Sequence, residues 1–241
     1  MALPLRRDPK VLEQMLRDGQ IRRAPALSPA APRALPTGFK ALDAALGGGL
    51  ARGQLHEIVG PPGAGGTALV RAALATATAA GELCALIDPG GSFDPPPGID
   101  LERLLWVRPR DPVQALRAAE IALEARFSLV ALDLGDVSVL RLQAAAGSLE
   151  CLRLPATALW ARLARLAEKH GGALLLLVRA PQAGTFAAAT IELERGRAQW
   201  EGRPGAPGRF LRGAHAVGAV ARHKRMPPSA PLPFTLPLEP K

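Results

Sequence analysis

The sequence predicts an α/β fold: a mostly parallel sheet flanked by helices, with an antiparallel hairpin at its C-terminal end. Three observations lead there. The segment GPPGAGGT, residues 60–67, carries the glycine spacing of a phosphate loop between a strand-like and a helix-like run. From residue 54 to 178, short apolar runs alternate with segments of helical period, the pattern of strands buried by crossover helices on both faces. Residues 187–200 and 210–222, joined by the turn-forming EGRPGAPG, read as two strands of a hairpin.

The elements follow in order. Residues 8–20 form an amphipathic helix with Val11, Leu12, Met15 and Leu16 on one side. A Pro/Ala-rich stretch cannot propagate a helix, so residues 1–23 are expected to be an interaction segment, 24–35 a linker and 36–238 the core. Residues 54–59 read as a strand, and the Ala-, Thr-, Leu- and Val-rich run 67–80 as a buried helix. Residues 83–87 and 104–107 read as successive buried strands. Asp111 and Gln114 have the spacing of a capping box with Pro112 at the first helical position, which starts a helix reaching about residue 126. Leu116, Ala119, Leu123 and Phe127 form its apolar stripe. Strand 128–132 follows. Leu159, Leu163 and Leu166 mark a further helix, closed by Gly171 and Gly172 before strand 173–178.

The phosphate loop departs from its pattern at the position that matters most. In G-x-x-x-x-G-K-[ST] the lysine is the charge that reaches the outer phosphates, while backbone N–H groups only cradle them. Here Gly60, Gly63, Gly65 and Thr67 are in place, and Gly66 stands where the lysine belongs. No lysine lies anywhere between residues 41 and 168 to replace it. Asp133 closes the run FSLVALD at a strand's carboxyl end, where an acid can hold a magnesium-bound water near the Thr67 hydroxyl. The structural alternative is a Gly/Pro surface turn and an acid that merely ends a strand.

With 241 residues and 48% hydrophobic content, one α/β domain with extensions is the simplest division. The net charge of +9 sits at the ends: Lys and Arg outnumber acids 8 to 1 over residues 195–225, whereas acids prevail over 41–194. Such a basic segment is suited to phosphates or to an acidic protein surface, or is simply a solvated arginine-rich face. Only 4% of residues are aromatic, which argues against a stacking platform for single strands. Cys84 and Cys151 lack metal or disulfide spacing and are expected to be buried thiols. His215 and His223 have no acidic or thiol partner at metal spacing and are expected at the surface. The start, MALPLRRDPK, has no apolar signal core, and ALLLLV is too short to span a bilayer, so a cytoplasmic protein without membrane contact is expected.

The phrase LPTGFKALDAALGGGLARGQLHEIVGPPGAGGT, with ELCALIDPGGSFDP, resembles the opening of the RecA core, and the similarity extends by order of elements over about residues 36–238. The separate C-terminal RecA domain is expected to have no counterpart. By this resemblance a water-activating glutamate belongs at Gly90 and a phosphate-sensing glutamine at Ala180, so three polar residues used in hydrolysis are replaced. ATP hydrolysis is therefore not expected, and neither ATP nor magnesium is expected as a cofactor. The same opening phrase is similar to the ImuA family of bacterial mutagenesis cassettes. That resemblance implies a non-catalytic adaptor in translesion synthesis, with RecA and the polymerase-like ImuB as partners and a DnaE-type polymerase acting through them. It also places Arg222 and Lys224 of ARHKR where RecA protomers offer basic residues to a neighbour; the bland reading is a charged edge-strand end that discourages aggregation. Direct, non-specific DNA binding through residues 195–225 is one alternative. A SulA-like division inhibitor and a weak ATPase are the others.

Overall fold

The computed structural model describes residues 34–91, 93–96, 98–135, 156–205 and 209–237, all within the unit Pro32–Lys241. The expected helix at 8–20, with Val11, Leu12, Met15 and Leu16, lies outside them, as does Cys151.

A small antiparallel ribbon, β1 (Ala34–Leu35) with β2 (Leu50–Ala51), encloses the short helix α1 (Lys40–Ala45). Thr37 and Asp43 tie its entry, the Asp43 carboxylate accepting from both the Thr37 backbone N–H and the Thr37 hydroxyl at 2.7 Å. Then come β3 (Leu55–Val59), α2 (Gly66–Ala79), β4 (Cys84–Ile87), β5 (Leu104–Val107), α3 (Pro112–Glu124), β6 (Leu129–Asp133), α4 (Ala156–His170), β7 (Ala173–Val178), β8 (Ala187–Glu201), β9 (Phe210–His223) and β10 (Leu232–Pro237). The last eight strands listed from β3 onward form one sheet in the order β10-β9-β8-β3-β7-β6-β4-β5. It is parallel from β8 through β3 to β5 and antiparallel from β8 through β9 to β10.

Strand alternation divides the core in two. Ile58, Leu175 and Leu177 join the cluster built on α2, whereas Leu55, Leu174, Leu176 and Val178 join the one built on α3 and α4. α3 starts as its sequence predicts, with the Asp111 side chain accepting from the Gln114 N–H at 2.8 Å. The return bond differs by one residue, because Gln114 Oε1 accepts from the N–H of Arg110 instead of Asp111.

One expectation needs correction, and two strand pairings were not anticipated. β5 is the sheet's outer strand, paired with β4 alone, so Leu105 and Trp106 are exposed rather than buried. A run of four apolar residues does not reveal whether a strand is flanked on both sides. β8 pairs in parallel with β3, so the antiparallel part begins only at β9. β10, with sequence LPFTLP, was not anticipated; its prolines are tolerated because it is the other edge of the sheet.

Candidate functional site

The site is assembled at the carboxyl ends of β3, β6 and β7. The loop leaves β3 at Gly60, whose N–H donates to the Val178 carbonyl at 3.2 Å. A Cβ on Gly60 would lie 2.8 Å from the Leu193 carbonyl oxygen, so the close pass of β8 requires glycine. Gly63 (φ 78°) and Gly65 (φ 97°) take the left-handed conformation, and Gly65 caps α2. The unpaired N–H groups and dipole of that helix end face a cavity of about 210 Å³. Of the residues singled out in the sequence, Gly60, Gly63, Gly66, Thr67 and Asp133 line it and Gly65 does not.

A side chain at position 66 would have to displace the end of Leu177. A Cβ on Gly66 would come within 2.5 Å of Leu177 Cδ1, which projects from β7 on the α2 side of the sheet. Asp133 turns partly to its own loop, its Oδ1 accepting from the Gly135 N–H at 2.9 Å. The charge at the site comes from arginines that sequence reasoning missed. Arg179, directly after β7, lines the cavity and its Nε donates to the Gly135 carbonyl. Arg195, on β8, donates from Nε to the Pro62 carbonyl at 2.7 Å. Arg179 was within reach of a sequence argument, since the first residue beyond a buried strand points at such a site. Arg195 was not, because only the β3–β8 pairing brings it there. Of the described residues that line the cavity, Arg179 is the cation, Asp133 the acid and Thr67 the hydroxyl, and position 66 offers no charge to an outer phosphate.

Beside the cavity, the segment after β7 is pinned from two sides. Glu57, fully buried on β3, accepts at Oε1 from the N–H groups of Gln182 (2.6 Å) and Ala183 (2.9 Å). Arg222 of β9 donates from Nη2 to the carbonyls of Ala187 (3.0 Å) and Gly184. Arg222 is thus engaged within its own chain, while the Lys224 side chain is exposed. His223 Nδ1 accepts from the N–H groups of Arg225 and Met226, and burial followed by the Arg225 charge lowers its pKa. His215 pairs with Gln199 across the hairpin. Two buried groups shift further. Burial drives the His56 pKa down to about 4, against a contact with the Ala51 carbonyl that raises it, and burial with the Glu82 charge pushes the Cys84 thiol up to about 12. Among the described residues no cluster of His, Cys, Asp or Glu suits a metal ion, and no helix is long and apolar enough to cross a membrane.

A family model described as the RecA N-terminal domain matches residues 10–145, more than half of the chain. The chain belongs to the RecA N-terminal domain family. This RecA-like chain is 45% identical over 92 residues to the protein RecA of Cutibacterium acnes, covering 36% of the chain and 26% of that relative. It is 38% identical over 125 residues to the protein RecA of Clavibacter michiganensis, covering 49% and 33%. It therefore spans a quarter to a third of the length of these relatives. Among solved structures, a RadB recombinase superposes with a TM-score of 0.60 at 22% identity, covering 83% of this chain and 94% of that one. That likeness bears out the α/β, RecA-like architecture.

Proposed function

We propose that this RecA-like chain is a non-catalytic adaptor in DNA-damage-induced (SOS) mutagenesis, of the ImuA type. It engages RecA and the polymerase-like ImuB, modulates RecA filaments, and through these contacts serves a DnaE-type polymerase in translesion synthesis. The observation that carries the reading is Gly66 at the position of the phosphate-binding lysine, with Leu177 Cδ1 packed where a side chain would begin. Gly90 and Ala180, at the positions of the water activator and the phosphate sensor by resemblance, support the same reading. Without those groups the positioning and charge neutralisation that phosphoryl transfer depends on have no source.

The test has two arms. ADP release is measured on the full chain with and without single-stranded DNA, and the expected result is none above a blank; sustained turnover would overturn the reading. Capture of purified RecA and ImuB is measured for the full chain, for a chain lacking its first 25 residues, and for Lys224→Ala. Lys224 is a cleaner probe than Arg222, whose guanidinium also holds residues 184 and 187 of its own chain. Loss of capture with either variant supports the adaptor role, and failure of the full chain to capture either partner refutes it.

A further inference from the structure

The eight-stranded sheet ends on two strands that differ in how they are guarded. β10 carries Pro233 and Pro237, neither of which has an N–H to offer a further strand. β5, at the opposite edge, is LLWV: apolar throughout, without proline, charge or bulge, and paired in parallel with β4 alone among the described strands. An edge of this kind is a template for another strand, and folded proteins blunt it or cover it. Leu105 (46% exposed) and Trp106 (36%) stand on it, and Leu101 (60%) lies in the turn that leads into it.

The two faces of this edge are not alike. Leu105 and Val107 lie on the α3 side, where Val107 packs on the core of α3 and α4. Leu104 and Trp106 lie on the α2 side, where Trp106 meets Phe93 edge to face at 5.4 Å and the Arg108 guanidinium is 5.0 Å from the indole ring centre. Charge is sorted along the strand as well. Asp100 and Glu102 precede it, Arg108 and Arg110 follow it, and Glu102, Arg108 and Arg110 are exposed. Arg103, also at the leading end, is held by Asp100 at 3.1 Å, which leaves Glu102 to set the sign there.

We propose that β5 pairs antiparallel with β5 of a second copy of this chain about a two-fold axis, joining two sheets edge to edge into a closed dimer. With Leu105 opposite its own counterpart, Leu104 of each copy faces Trp106 of the other, and Glu102 comes beside Arg108 on both sides of the axis. The sorted charges select this partner. An antiparallel copy brings acid to base at each end, whereas a parallel copy sets like charges together at both. The pairing is isologous, so it covers both edges at once and stops at two. A head-to-tail array of sheets needs a second receptive edge, and the prolines of β10 deny it one. The inference stands apart from the adaptor reading, since it uses no residue of the phosphate loop or of β9.

Sedimentation velocity of the full chain over about 1–200 μM, at about 50 mM and about 200 mM salt, follows the association. The expected result is a monomer–dimer equilibrium that weakens with salt and goes no further than the dimer. Leu105→Lys, which plants a charge on the edge, should weaken it roughly tenfold or more. Glu102→Arg and Arg108→Glu should each weaken it alone, and an equimolar mixture of the two variants should recover it, because every facing pair is again opposite in sign. Circular dichroism confirms that each variant is folded, and the mixed pair carries the test if Leu105→Lys is not. A chain lacking its first 25 residues should dimerise like the full one. The inference is overturned if the full chain stays monomeric throughout, if it grows past the dimer, or if Leu105→Lys associates as wild type. It is equally overturned if the mixture does no better than its parts, or if removing the first 25 residues abolishes association, which would give the contact to that segment.

Discussion

Putting the lysine back is the sharpest probe of the degenerate loop. Gly66→Lys places a Cβ 2.5 Å from Leu177 Cδ1, a separation real side chains do not occupy, so the end of the leucine must shift. Overpacking of that kind costs about 1–3 kcal/mol. A lysine–phosphate hydrogen bond contributes about 1.5–3 kcal/mol to binding, and the single variant gains it only as far as Leu177 lets the lysine reach the cavity. Leu177→Ala removes the obstruction at a stability cost of about 2–5 kcal/mol, since Leu177 is only 6% exposed. Titration with a fluorescent ATP analogue and magnesium should show little gain for Gly66→Lys alone and a gain of about tenfold or more for the pair, with thermal melts confirming that both remain folded. Neither should release ADP, because Gly90 and Ala180 are unchanged. If the single variant gains as much as the double, Leu177 does not block the site and the reasoning fails.

Two further outcomes follow from buried polar groups. His56 has a folded pKa near 4 against 6.5 unfolded, so the unfolded chain binds the extra proton: stability is full above pH 6.5 and falls as pH drops toward 4, by about 3 kcal/mol in all. Urea unfolding at pH 7 and pH 4.5 should show this loss in wild type and a flatter profile in His56→Gln; parallel profiles would refute it. Glu57→Ala leaves the buried N–H of Ala183 and that of Gln182 without their acceptor, so unfolding should cost about 2–5 kcal/mol less, with faster hydrogen exchange at 182–187. Unchanged exchange there would show that the carboxylate does not hold the segment.

How much of this was readable in the sequence depended on whether the signal was local. β3, α2, α3, β6 and β7 are bounded by their own apolar runs, glycines and caps, and the structure moves their ends by only a residue or two. The grouping of Gly60, Gly66 and Thr67 was readable because strand–loop–helix order dictates it, and Asp133 was expected nearby because it ends a strand at the sheet's carboxyl edge. What pairing alone decides was not readable. The edge position of β5, the parallel entry of β8, Leu177 filling the space at Gly66 and Arg195 on the Pro62 carbonyl all depend on which strand lies beside which. β10 carries prolines that only an edge tolerates.

The double anchoring of residues 182–187 ties distant strands through one short segment. Glu57 of β3 and Arg222 of β9 hold it with four hydrogen bonds. None of these residues lines the cavity at the loop, so a change at either anchor is felt first in the link from β7 to β8.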